Sequence, residues 1–183
     1  QFSMEYATDV CACSALAADW LFGPEIPGEQ IQLLPNAIDV EKYNFRPEKR
    51  QEIRTGLKLQ NRIVIGNVGR YSFQKNQEFL IRVFAKAHTC NPALFLICLG
   101  EGVLLEKLEM LIRQLGIEDS VLLLKWKDHV EDYLQAMDVF CLPSRFEGLP
   151  ISAIEAQAAG LKCLISENVT KEVQITDQIT FLP

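Results

Sequence analysis

Short apolar runs alternate with segments of helical period along almost the whole chain. Residues 62–68, 93–99, 120–126 and 139–142 are runs of strand type, rich in Val, Ile and Leu. They lack the in-and-out alternation of a sheet with one wet face, so they predict strands covered on both sides. Between and after them, residues 76–89, 103–115, 130–137 and 150–159 carry apolar positions at helical spacing, and residues 47–57 read as a charged helix opened by Pro47. Nearer the start, residues 8–13 predict a strand, 14–22 a helix stopped by Gly23 and Pro24, and 31–34 a short strand. Residues 162–165 and 178–182 are the last two strands. Strands separated by helices in this way require an α/β fold, a Rossmann-like parallel sheet with helices on both faces.

One helix of the series is chemically unusual. In residues 150–159 the only charge is Glu155, set among Ile151, Ile154, Ala158 and Ala159. A lone carboxylate on so apolar a helix must find hydrogen-bond donors or reach a cleft. Gly148, Leu149 and Pro150 precede the helix, so no Ser, Thr, Asp or Asn is placed to cap it. Its first N–H groups are then available to an anion. Glu147 lies just outside that helix start and Glu155 two turns inside it, with seven residues between them. Carboxylates accept hydrogen bonds from hydroxyls, so a ligand carrying both phosphates and sugar hydroxyls suits the pair.

A second segment follows the strand at 62–68: Gly69, Arg70 and, after a short interval, Lys75 and Asn76. In open parallel sheets ligands bind beyond the carboxyl ends of the strands. Arg70 and Glu147 each follow a strand directly, which puts them on one rim. Arg supplies a planar fork of donors and Lys a point charge, a combination suited to a diphosphate. If both cations stand in a surface loop, replacing either should spare the fold. The turn Gly100-Glu101-Gly102 is read as a plain strand-to-helix turn. It is no dinucleotide fingerprint, because Leu105 stands where a third glycine belongs. The loop at Trp126, Lys127 and Asp128 lies on the same rim and could meet a nucleobase. His129 is read equally as a solvated loop residue or a ligand contact.

Composition narrows the field further. The formal net charge of −6 is spread along the chain without a basic run, which argues against nucleic-acid binding. No apolar stretch approaches the length of a membrane span. Of the six cysteines, Cys98, Cys141 and Cys163 sit in strand-like runs, and Cys11 and Cys13 alternate in another. Buried, reduced thiols are expected. One Cys-x-Cys with two histidines in the chain makes a poor metal site, so no metal and no cofactor is expected. The chain opens on Gln1 rather than Met and closes on Pro183 without a terminal helix, as expected of a chain cut at both ends.

The segment from Pro143 to Gly160, with Ser144, Glu147, Gly148, Pro150 and Glu155 in their places, resembles the Glu-x7-Glu motif of the retaining glycosyltransferases of family 4, the group 1 glycosyltransferases. The Gly69, Arg70 and Lys75 segment is similar to one that holds the donor diphosphate in that family. The run from Ser14 through Trp20, Leu21 and Phe22 to Gly23 is similar to the close of its N-terminal domain. The resemblance implies the C-terminal, donor-binding domain of a two-domain GT-B fold. Residues 1–30 would be the remnant of the acceptor domain and linker, and residues 31–183 a donor domain truncated at its C-terminus.

The activity it implies is transfer of a sugar from a UDP-, GDP- or ADP-linked donor to an acceptor hydroxyl with retention, in bacterial polysaccharide or glycoconjugate synthesis. Arg70 and Lys75 would hold the diphosphate. Glu147, with the backbone of Gly148 and Leu149, would face the sugar, and Glu155 the ribose. Gly69, Pro150 and Lys127 complete the expected binding set, with Arg70, Lys75 and Glu147 the catalytic members. The absence of an Asp-x-Asp agrees with a metal-independent reaction. Partners would be the donor, the missing acceptor domain and, through exposed apolar surface, further copies of the fragment. The fragment alone would be inactive. The location would be cytoplasmic, peripheral to the inner face of the membrane through the first domain. The departure at Ala37, where the family has glycine, puts the loop at Asn36–Asp39 in question, since alanine takes positive φ poorly. A nucleotide-binding module without transfer, or a sugar-nucleotide epimerase or phosphorylase of similar architecture, is the rival reading.

Overall fold

The computed structural model describes residues 7–125 and 129–183. The chain begins with a small parallel pair, β1 (Val10–Ala12) and β2 (Ile31–Leu33), joined through α1 (Ala15–Phe22). Ser14 caps α1, its hydroxyl accepting the Ala17 N–H at 3.0 Å. The linker that follows carries α2 (Pro47–Gly56), with Pro47 at its first position.

The rest is one six-stranded parallel sheet. Its strands are β3 (Ile63–Val68), β4 (Leu94–Leu99), β5 (Val121–Leu124), β6 (Val139–Leu142), β7 (Lys162–Ser166) and β8 (Ile179–Leu182). Their order across the sheet is β5-β4-β3-β6-β7-β8. The expected α/β class and every predicted element are present, with ends shifted by no more than two residues. The displaced start of the last helix has a local cause. Pro150 is extended and stands just before α6 (Ile151–Ala158) rather than inside it.

Both faces of the sheet are apolar because both are covered. In β4, Leu96 and Cys98 point into one core with Ile81, Phe84 and Leu108 of α3 (Gln77–Cys90) and α4 (Leu105–Leu115). Ile97 and Leu99 point the other way, into a core with Leu134 of α5 (Val130–Ala136) and Ala153 and Ala156 of α6. Helix α2 packs along α5. Arg54 on α2, almost wholly buried, donates to the carbonyls of Ala136 and Leu59 at 2.8 Å each. Asp138 receives Arg50 at 2.5 Å, Arg54 at 3.3 Å and the Val64 N–H at 2.7 Å. The thiols divide. Cys98 and Cys163 are buried as expected, but Cys13 and Cys141 are only half-buried and Cys11 and Cys90 are exposed. Cys11 misses burial because β1 is an edge of a two-stranded ribbon, open on one face.

Candidate functional site

The chain leaves β3 towards β4 and leaves β6 towards β7, on opposite sides. The loops after β3 and β6, which are neighbours, therefore diverge and open a crevice at the carboxyl edge of the sheet. A cleft of about 830 Å³ lies there, lined among others by Gly69, Arg70, Lys75, Glu147 and Glu155.

The first loop is held from below. Tyr71, wholly buried, has its hydroxyl 2.8 Å from the carbonyl oxygens of both Cys98 and Leu124. Burial pushes its phenol above the ordinary range, so it stays a donor. Gln77, also buried, donates to the Arg70 carbonyl at 3.1 Å and to Asn67 at 3.3 Å. The turn at Gly100–Gly102 is more than a strand-to-helix turn. A Cβ on Gly100 would sit 2.0 Å from the Gly69 carbonyl oxygen, and one on Gly102 would sit 2.4 Å from that of Tyr71. The two glycines let the first loop lie flat on the second turn. Anchored in this way, the loop leaves Arg70 exposed and without a salt bridge among the described residues.

The loop after β6 is tied to the first by its side chains. Asn76, in the left-handed conformation at φ 55°, donates to the Pro143 carbonyl at 3.2 Å. Its oxygen accepts from Arg145 at 3.1 Å. Glu147 is 8% exposed and accepts from Lys75 at 2.6 Å and Ser144 at 2.8 Å through Oε1, and from Gln74 at 3.2 Å through Oε2. Lys75 is thus not a surface cation. Its side chain is 16% exposed and paired with Glu147, because the loop turns it inward over Gly69. Replacing it should therefore cost stability, contrary to the expectation for a surface-loop cation.

The start of α6 has no side-chain cap, and the N–H groups of Ile151 and Ser152 meet no acceptor among the described residues. Ser152 lines the cleft, and its hydroxyl is buried without a partner among those residues. From the other side, Ser14 donates to the Gly148 carbonyl at 2.8 Å and Asn36 to the Leu149 carbonyl at 3.0 Å. Ala37 has no positive φ, so the loop at residues 36–39 is unstrained without glycine. Gly148 does not line the cleft; its α-carbon faces Ala17 and Cys13.

Glu155 finds its donor in Tyr43, whose hydroxyl lies 2.6 Å from Oε1. Burial holds the Glu155 carboxyl above its usual range, the Tyr43 hydrogen bond opposes this, and the charge of Glu131 adds to it. Arg70, Lys75, Gly69, Glu147, Leu149, Pro150 and Glu155 therefore meet at one cleft. Lys127 lies outside the described residues, and His129, exposed, pairs with Glu131 at 3.2 Å. Sequence reasoning missed Tyr43, Glu131 and Ser152 as lining residues. Ser152 lies inside the Glu147–Glu155 segment but carries no signal of its own there, and Tyr43 and Glu131 fall in no motif; only folding brings Tyr43 to Glu155.

Comparison with known proteins identifies the family and the fold. The family model described as glycosyl transferases group 1 matches residues 48–180. EpsF of Bacillus subtilis (strain 168), which bears a glycosyltransferase name, is 35% identical over 170 residues, 91% of this chain and 44% of its own length. The UDP-Gal:alpha-D-GlcNAc-diphosphoundecaprenol alpha-1,3-galactosyltransferase of Escherichia coli is 32% identical over 142 residues, 75% of this chain and 36% of its own. Among solved structures, Anabaena HepE in complex with UDP-glucose superposes with a TM-score of 0.84 at 21% identity, covering 96% of this chain and 50% of that one. WaaG, a glycosyltransferase involved in lipopolysaccharide biosynthesis, gives 0.85 at 20%, covering 99% and 50%. The chain spans half or less of the length of each. Its fold is that of the C-terminal domain of GT-B glycosyltransferases, and the chain belongs to the group 1 glycosyltransferases.

Proposed function

We propose that this chain is the donor-binding half of a retaining, metal-independent glycosyltransferase that uses a nucleoside diphosphate sugar. The observation that carries the reading is the convergence of Arg70, Lys75, the uncapped start of α6, Glu147 and Glu155 on one cleft at the sheet's switch point. Arg70, Lys75 and the helix start offer positive charge and donors to a departing diphosphate, the charge that develops in transfer. Glu155 offers acceptors to a ribose diol, and Glu147, beside Lys75, faces the transferred sugar. Residues 1–30 belong to the acceptor domain and linker in this reading, residues 31–183 form the donor domain, and acceptor groups come from that other domain. The chain alone then binds donor without transferring sugar. The HepE complex with UDP-glucose and the Escherichia coli enzyme named for UDP-Gal make uridine donors the first to test. A role in polysaccharide or glycoconjugate synthesis fits the relatives' names. Among the described residues no helix is long and apolar enough to cross a membrane; the proposed location is cytoplasmic, at the membrane's inner face.

Calorimetric titration of UDP-, GDP- and ADP-sugars, with and without EDTA, tests the reading. Binding of at least one nucleotide in EDTA is expected. Binding that appears only with a divalent ion would refute metal independence, and no binding to any nucleotide sugar would refute the donor role. In the enzyme joined to its acceptor domain, the anomeric configuration of the product, read by NMR, tests retention.

A further inference from the structure

The short linker turn Val40–Lys42 places Tyr43 across the cleft from α6. Its position is fixed at the backbone. Gln135, buried on α5, donates to the Tyr43 carbonyl at 3.2 Å and accepts the Arg46 N–H at 2.9 Å. Arg46 itself reaches Asp132 at 2.7 Å. The Tyr43 ring packs against the core beneath α5 and α6, and its hydroxyl ends 2.6 Å from Glu155 Oε1. Oε2 of Glu155 has no hydrogen-bond partner among the described residues. Tyr43 precedes the span that matches the family model, so that match assigns it nothing.

We propose that Tyr43 is a positioning residue. It fixes one oxygen of Glu155, so that the carboxylate presents the other to the vicinal diol of the ligand's ribose. A Glu side chain has three rotatable bonds, and ordering it at the moment of binding weakens affinity. A partner that already holds one oxygen removes part of that loss. Protonation supports the direction of the bond. Burial, then the contact with Glu155, pushes the Tyr43 phenol well above its ordinary range, so it donates at any physiological pH. The proposal rests on the ribose role given to Glu155 above.

The test uses Tyr43→Phe, which keeps the packed ring, with Glu155→Gln and the double variant. Each is titrated with UDP, 2′,3′-dideoxy-UDP and pyrophosphate. Tyr43→Phe should weaken UDP about three- to tenfold and leave the two diol-free ligands within about twofold. The double variant should bind UDP no worse than Glu155→Gln alone, since the two side chains act as a unit. An equal loss on all three ligands would mean that Tyr43 only supports the fold. Tighter UDP binding would mean that it competes with the ribose, and an unchanged affinity that it does nothing. Each overturns the proposal while sparing the ribose role of Glu155. If Glu155→Gln itself shows no diol-dependent loss, the ribose role falls and the proposal with it.

Discussion

Replacing Lys75 with alanine would remove the only cation within 4.0 Å of Glu147 among the described residues and leave a carboxylate that is 8% exposed. Breaking a buried pair by deleting one partner costs about 3–5 kcal/mol, because the remaining charge stays buried and unpaired. Two features reduce that figure here. Ser144 and Gln74 still donate to the carboxylate, at 2.8 and 3.2 Å, and the Lys75 side chain is 16% exposed, so water can follow it in. We expect a loss of about 2–3 kcal/mol, or a fall in Tm of roughly 5–10 °C for a domain of this size. The same change in a Glu147→Gln background should cost under about 1 kcal/mol, since no buried charge is then stranded. Urea unfolding followed by circular dichroism, for the two single variants and the double, measures the coupling. Costs that add to within about 0.5 kcal/mol would show that the contact does not hold the two loops together. Arg70→Ala is the contrast. Arg70 is exposed and without a salt bridge among the described residues, so this change should leave Tm unchanged while weakening nucleotide binding about 10- to 100-fold.

Other expectations follow from individual contacts. Burial acts to raise the Asp138 carboxyl, but the Val64 N–H, Arg50 and Arg54 outweigh it and hold the carboxyl below its ordinary 3.8. Asp138→Asn should therefore destabilise at pH 7, and the gap to the parent should close in thermal melts as pH falls below that value. Glu155 is shifted the other way, above its ordinary 4.5, so its ionised form opposes folding at neutral pH. Glu155→Gln should raise Tm at pH 7, an advantage that fades as pH falls towards 4.5. Ser152→Ala removes a buried hydroxyl with no partner among the described residues, so it should spare stability but weaken diphosphate binding a few-fold in calorimetry. Trp20 is 79% exposed and Phe79 52%, so light scattering should show self-association that grows with concentration.

The sheet and its helices were legible because each strand is a continuous apolar run and each helix keeps its period, and because parallel strands must be covered on both faces. The rim was legible for the same reason. Arg70 and Glu147 each follow a strand, and strands of a parallel sheet end on one edge. What the sequence could not reveal is which way a loop side chain turns. Lys75 reads as a surface-loop cation open to a diphosphate, yet the loop anchored by Tyr71 aims it at Glu147. The pair Gly100 and Gly102 reads as an ordinary turn, because the backbone lying on it belongs to a different strand's loop. Ala37 reads as a strained substitute for glycine only if the loop demands positive φ, and it does not.

The same limit explains why the candidate site extends beyond its motifs. The segment from Gly148 to Glu155 is recognisable by its own spacing, but three earlier side chains hold it: Ser14 at the Gly148 carbonyl, Asn36 at the Leu149 carbonyl and Tyr43 at Glu155. Each bond spans more than 100 residues of chain, a separation at which local periodicity carries no information. These contacts also bind the carbonyl side of the loop, leaving the N–H groups at the start of α6 for a ligand. Anion binding by a helix start needs its N–H groups unpaired and its backbone held still. In this chain the missing cap supplies the first condition and the residues ahead of α2 supply the second. Changes at Ser14, which does not line the cleft, should accordingly act on nucleotide affinity only through the loop it holds.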